Sequence, residues 1–151
     1  MRVAWGVVMI QEMLISPTSR MIEQAVNFTE QRHQVIVANI ANASTPGYVQ
    51  KDVSAVGFQA ALRDAVDRRR LGGGREVSPV SNDTVEFYRG SSQIGVKPQA
   101  TVGAMAFHDR GVRSMESLMS DLADNAMAHN ALVQLLKGRY EGIVKAINMR
   151  P

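Results

Sequence analysis

From Met115 to Ile147 the chain repeats one spacing without a break. Met115, Met119, Leu122, Ala126, His129, Val133, Leu136, Tyr140, Ile143 and Ile147 follow one another at alternating steps of four and three, and only His129 is not apolar. A period near 3.5 residues keeps one stripe of a helix against a partner helix along its whole length. A helix from Ser114 to Asn148, at about 1.5 Å per residue, is about 50 Å long. That is too long for a compact globule of 151 residues, so a rod-shaped pairing is expected. Ser114 suits the cap, Glu116 the first turn, and Lys137, Arg139, Lys145 and Arg150 crowd the end where the helix dipole favours cations.

A second helix is expected from Ser16 to Asn42. Ser16 or Thr18 can cap it, and Pro17 suits a first-turn position. Ile22, Val26, Ile36 and Ile40 fall on the same four-three spacing, with Thr29 and His33 filling the gaps. Two ends that match in period are expected to pack on each other. The stretch between them, Ala43 to Gly111, holds most of the glycines and three of the five prolines. Within it Phe58, Ala61, Leu62, Ala65 and Val66 share one helical face, and Glu86 to Arg89 suit a brief strand. From Arg70 to Met105 no period is sustained, so that segment is expected mobile in an isolated monomer. The expected fold is mainly α: long N- and C-terminal helices paired as an antiparallel coiled-coil hairpin, with an irregular, partly disordered middle segment.

Composition narrows the chemistry. There is no cysteine, which removes disulfides, thiolate zinc sites and a cysteine nucleophile. Nine Met against 1 Trp, 3 Tyr and 4 Phe imply aliphatic packing rather than an aromatic-centred core. The net charge is +3, and the one dense basic run, Arg68 to Arg70 with Arg75 beyond, reads as a solvated linker; no nucleic acid partner is expected. Gly72, Gly73 and Gly74 lack the Lys-Ser/Thr of a phosphate loop and read as a linker. His33 and His129 both fall on the helix stripes; hydrogen-bonded seam histidines are expected, with a metal pair or pH switch as the alternative. No paired carboxylates and no Ser/His/Asp set gather in one stretch, so no enzyme, small-molecule substrate, cofactor or metal is expected. Met1 to Ile15 is apolar, but its longest run, Val7 to Ile10, is too short to span a bilayer, and no small-x-small cleavage site follows it.

The stretch from Ala38 to Tyr48 reads Ala-Asn-Ile-Ala-Asn-Ala-Ser-Thr-Pro-Gly-Tyr. Asn42 can end the helix in a left-handed position, and Pro46 stops it resuming. Pro46-Gly47 is a type II turn pair with Gly47 at positive φ, and Tyr48 presents a ring that packs and hydrogen-bonds. Asn39 and Asn42 share a face and can bind exposed backbone of the turn or of a neighbour.

This stretch resembles the signature of the flagellar rod and hook axial proteins. Pro46-Gly47-Tyr48, in place of the Thr-Gly-Phe of hook and distal rod members, points to the proximal rod. Asp124-Asn125-Ala126, Leu135-Leu136 and Ala146-Ile147 are similar to its C-terminal helix. Two departures stand out. Asp109-Arg110-Gly111-Val112 replaces a longer Asp-Gly-Asn-Asn-Val, and His129 sits where Tyr is common. The resemblance also divides the chain: 1–12 an upstream extension or mis-set start, 13–42 an axial helix, 43–111 the motif turn, short helix and flexible middle, and 112–151 the second axial helix.

What the resemblance implies is a structural role. Such a subunit leaves the cytoplasm uncleaved by type III export and self-assembles with other rod subunits in the periplasm. The tube so formed joins the membrane ring and export gate to the distal rod. The expected partners are further copies, other rod subunits, a rod–membrane-ring adaptor protein and the export gate. Asn39, Ile40, Asn42, Thr45, Pro46, Gly47 and Tyr48 form the expected assembly motif. The alternatives are a different axial rod subunit, or a helical adaptor that binds one partner through its heptad seam.

Overall fold

The computed structural model describes residues 16–72, 79–88, 90–101 and 115–148. The two long helices are α1, Pro17–Ala41, and α3, Met115–Asn148, with the short helix α2, Ala55–Gly72, between them in the chain. Four short strands complete the described residues: β1 (Lys51–Asp52), β2 (Val85–Phe87), β3 (Ile94–Val96) and β4 (Gln99–Ala100). They form two separate antiparallel pairs. Lys51 faces Ala100 and Asp52 faces Gln99 in one; Val85 faces Val96, Glu86 faces Gly95 and Phe87 faces Ile94 in the other. The protein is therefore mainly helical, with a few short paired strands in the described part of the middle segment. Two of these strands are held by α1, as shown below.

Pro17 opens α1 at its first turn, as its fixed φ suits. Ser16 holds the N-cap position, yet its side chain caps nothing. The hydroxyl instead accepts from Arg139 Nη2 at 2.7 Å. Ser54 does cap α2, its Oγ accepting from Gly57 N–H at 3.0 Å. Along α2 Phe58 and Ala65 are buried and Ala61, Leu62 and Val66 half-buried, the face that the spacing implies.

The core lies between α1, α2 and the β2–β3 pair. It gathers Ala25, Phe28, Val53, Phe58, Val85 and Ile94, with Leu62, Phe87, Val96 and Leu132 packed against it. Three phenylalanines form its centre. The Phe28 and Phe58 rings stack at 4.2 Å, nearly parallel at 6°, and Phe58 stacks on Phe87 at 5.9 Å. This differs from the aliphatic packing implied by composition. Aromatics are scarce in the chain, but three of them meet at one point, each from a different element, and large rings fill a small core efficiently.

Helices α1 and α3 run antiparallel. Arg139 reaches Ser16 and Ser19, Tyr140 reaches Glu23, and His129 and Asn125 reach Thr29, so the numbering falls along α3 as it rises along α1. The side of α3 turned inward differs from the expected stripe in one respect. Leu122, His129, Leu136 and Ile143 are half-buried, as that stripe has them. Ala126 is half-buried as well, but Leu118, Asn125, Leu132 and Arg139 also turn in, and Met119, Val133 and Tyr140 beside them do not. Met115, Met119, Val133, Tyr140 and Ile147 are exposed. The physical reason is the facing surface. Ser16, Ser19 and Thr29 on α1 present polar groups, so α3 answers with Arg139 and Asn125 rather than with a purely apolar row. On α1 Ile22, Thr29 and Ile36 are buried, Val26 and Ile40 half-buried, and His33 exposed.

Two outcomes follow. Phe58→Ala removes the central ring of the stack and destabilises the fold by about 3–5 kcal/mol, read by urea unfolding. The Tyr140 hydroxyl, held above its ordinary pKa chiefly by its hydrogen bond to Glu23 and further by desolvation, titrates later in the folded state than in the unfolded one. Its contribution is complete below the unfolded value near 10 and is lost as pH rises through the higher folded value. The melting temperature of the native chain therefore falls more steeply above pH 10 than that of Tyr140→Phe; parallel curves contradict the assignment.

Candidate functional site: the helix end and turn from Ala38 to Tyr48

The signature closes on itself. At the end of α1 Asn42 donates twice to Ala38 C=O, from its backbone N–H at 3.1 Å and from Nδ2 at 2.8 Å. Its φ is −103°, so it stays right-handed. This differs from the left-handed ending expected of it. The side-chain amide closes the last turn, so reversal of the backbone is not needed there. The positive φ falls on Gly47, at 78°. Tyr48 N–H donates to Thr45 C=O at 3.2 Å, which makes Pro46 and Gly47 the two central residues of the turn. Thr45, Pro46 and Gly47 are exposed, and Ile40 is half-buried.

Asn39 is the centre of the site. It is buried on α1, in the helix's last turn. Its Nδ2 donates to Lys51 C=O at 2.6 Å, and its Oδ1 accepts from Lys51 N–H at 3.1 Å. The carboxamide thus presents to β1 the donor and acceptor that a neighbouring strand would present. Tyr48 O–H donates to the same Oδ1 at 3.0 Å, which pins the turn to the helix it left. Arg32, with its guanidinium Nε 3.7 Å from Asp52 Oδ1, adds an ion pair on the next residue of β1.

The same device recurs farther along α1. Gln31 Nε2 donates to Ile94 C=O at 2.7 Å, and its Oε1 accepts from Val96 N–H at 3.2 Å. Those are the groups of β3 that point away from β2. Gln24 donates to Ser91 C=O at 3.0 Å and Asn27 to Ser92 C=O at 2.9 Å. Amides at 24, 27 and 31 share one helix face, and it was the spacing of polar residues, not of apolar ones, that could have revealed them.

Between α1 and α3 lies a cavity of about 330 Å³, lined in part by Thr29, His33, Asn125 and His129. Thr29 Oγ1 commits its proton to Val26 C=O at 2.8 Å. His129 Nδ1, 2.9 Å away, is therefore the donor in their hydrogen bond. Asn125 Nδ2 donates to Thr29 C=O at 2.8 Å. Both histidines border one space, but among the described residues no three His, Asp or Glu side chains are placed to hold a metal ion.

Asn39→Ala strands Lys51 N–H and C=O and the Tyr48 hydroxyl, and its expected cost is about 2–4 kcal/mol. Tyr48→Phe removes one bond and costs about 1 kcal/mol. Because both act through Oδ1, the double variant costs less than the sum, and additive losses in urea unfolding contradict the clamp.

No family model matches the chain. Curated relatives do match, at low identity over most of its length. The flagellar basal body rod protein FlgB of Escherichia coli is 26% identical over 133 residues, covering 85% of this chain and 91% of the relative. The FlgB protein of Salmonella typhimurium is 26% identical over 129 residues with the same coverage. That of Proteus mirabilis is 23% identical over 126 residues, 83% of this chain and 89% of the relative. Six curated relatives match in all, and all six carry that name. The likeness carried by Ala38 to Tyr48 thus extends along most of the chain, and it is to the flagellar basal body rod protein FlgB.

Proposed function

We propose that this chain is a structural, non-catalytic subunit of the flagellar basal-body proximal rod. In this reading it self-assembles with other rod proteins into the periplasmic tube that joins the membrane ring and export gate to the distal rod. The observation that carries the reading is the match to rod proteins over 85% of the chain and about nine-tenths of each relative. The exposed side of α3 supports it. Met119, Val133, Tyr140 and Ile147 recur at multiples of seven residues and stay exposed at 39–57%, with Ala126 the half-buried member of the row. A heptad row left open beside a helix pair suits a second helix from a neighbouring subunit, which completes a coiled-coil hairpin that one chain leaves half covered.

The motif divides into two roles in this reading. Asn39 and Tyr48 hold the turn, while Thr45, Pro46 and Gly47 present it outward for contact with a neighbour. No described helix is long and apolar enough to cross a membrane. The route outward in this reading is type III export without cleavage, and the partners are other rod subunits, the rod–membrane-ring adaptor and the export gate.

Deletion of the gene is expected to leave the membrane ring in place and remove rods and filaments, as seen in electron micrographs of basal bodies. A deletion strain with complete rods contradicts the assignment. Met119→Asp with Ile147→Asp, both on exposed positions, leaves the circular dichroism spectrum unchanged and abolishes swimming when expressed in that strain.

A further inference from the structure

Charge divides α3 into two unlike parts. From Met115 to Leu136 its charged side chains are Glu116, Asp121 and Asp124, all acidic. From Lys137 to Asn148 they are Lys137, Arg139 and Lys145 against Glu141. The apolar surface of the two parts differs as well. Near the C-terminal end Val133, Leu136, Tyr140 and Val144 line a shallow groove, with Lys137, Glu141 and Lys145 on it. At the beginning Met115 and Met119 are exposed beside Glu116. One end is an apolar groove with a mainly cationic rim, and the other is a patch of adaptable methionines among carboxylates. Two like ends repel, whereas unlike ends match in both charge and apolarity.

We propose that the helix laid on the open row of α3 is α3 of a second copy, parallel to the first and displaced by three heptads, so that the acidic start of one α3 lies in the groove at the end of the next. The proposal rests on the reading of the chain as a self-assembling subunit. The charges select the displacement. At three heptads Glu116 lies level with Lys137 and Asp124 with Lys145, while Met119 meets Tyr140 and Ala126 meets Ile147. With no displacement Glu116 faces Glu116 and Lys137 faces Lys137. One heptad sets Glu116 level with Ala123 and Asp124 with Ala131, and two heptads set them level with Asn130 and Gly138. Neither pairs an acid with a base. Glu116, Asp124, Lys137 and Lys145 are all exposed, so each is available to such a pair. The displacement is about 31 Å along the helix. Only residues 115–127 and 136–148 overlap, and exposed ion pairs add little apiece, so the contact is weak in dilute solution and the charges set its register more than its strength. Head and tail are different surfaces, so every copy that docks leaves an end open for the next, and the series does not close on itself as a two-fold dimer does.

The chain has no cysteine, so introduced thiols report this contact without background. Ala123 and Val144 are both exposed and lie level at three heptads. The purified full chain carrying Ala123→Cys and Val144→Cys, concentrated and mildly oxidised at low salt, is expected to give a ladder of dimers, trimers and longer species on a non-reducing gel. Each single-cysteine variant stays monomeric. Glu116→Lys with Asp124→Lys lowers the ladder about tenfold, and adding Lys137→Glu with Lys145→Glu restores it, the circular dichroism staying helical throughout. Crosslinking by Ala123→Cys alone overturns the proposal, because it shows an undisplaced pair. A product that stops at the dimer overturns it by showing an antiparallel two-fold pair. The absence of any crosslink overturns it by giving the row to a different protein. Failure of the rod reading shows elsewhere: complete rods in the deletion strain remove that reading and leave the ladder as it is, whereas a missing ladder beside a rodless deletion strain removes the register alone.

Discussion

Short strands carry an unavoidable problem: each has two edges of backbone N–H and C=O groups, and a pair of two- or three-residue strands satisfies only the inner ones. Here α1 satisfies the outer ones of β1 and β3. Asn39 bonds both backbone groups of Lys51, and Gln31 bonds Ile94 C=O and Val96 N–H. Each side-chain carboxamide does the work of a neighbouring strand. The positions of β1 and β3 follow from the register of amides on the helix. The outer edge of β2 is closed differently, by Ser81 and Asn82, whose side chains accept from Phe87, Val85 and Thr84 N–H. Among the described residues the two strand pairs therefore fit onto one helix with few open edges.

This arrangement explains which parts of the fold could be read in advance. The two long helices were legible from the four-three spacing, and α2 from the face of Phe58, Leu62 and Ala65. The turn was legible from Pro46 and Gly47, because glycine at positive φ after proline has a local cause. Of the strand pairs only β2 was legible, in the brief strand expected at Glu86 to Arg89, which it meets at Glu86 and Phe87. The β2–β3 pair is tied to Gln24, Asn27 and Gln31, polar residues 60 or more positions away in sequence, and no local period marks that link. The inward side of α3 was half legible. Spacing ranks rows by apolar content, and Met119, Val133 and Tyr140 outrank Asn125 and Arg139. The facing side of α1 reverses that order, because Ser19 and Thr29 require polar partners.

The signature from Ala38 to Tyr48 also acquires two separable physical roles. Asn39, Asn42 and Tyr48 are engaged within the chain, so their identity answers to the folding of a single subunit. Thr45, Pro46 and Gly47 are exposed, so nothing within the chain requires more of them than a turn. The likeness to FlgB proteins therefore joins a folding device to a surface, and substitutions in the two parts have different consequences. Loss of Asn39 weakens the subunit itself.

The most direct test of the central claim is hydrogen exchange at two backbone amides of the isolated chain, Lys51 and Val96. Each points away from its partner strand and toward a helix carboxamide. If α1 serves as the missing strand, both amides exchange slowly, at rates comparable to those inside α1 itself. Exchange at the rate of an unstructured peptide at both positions, with α1 still protected, would show that the helix does not hold the strands and would contradict the account.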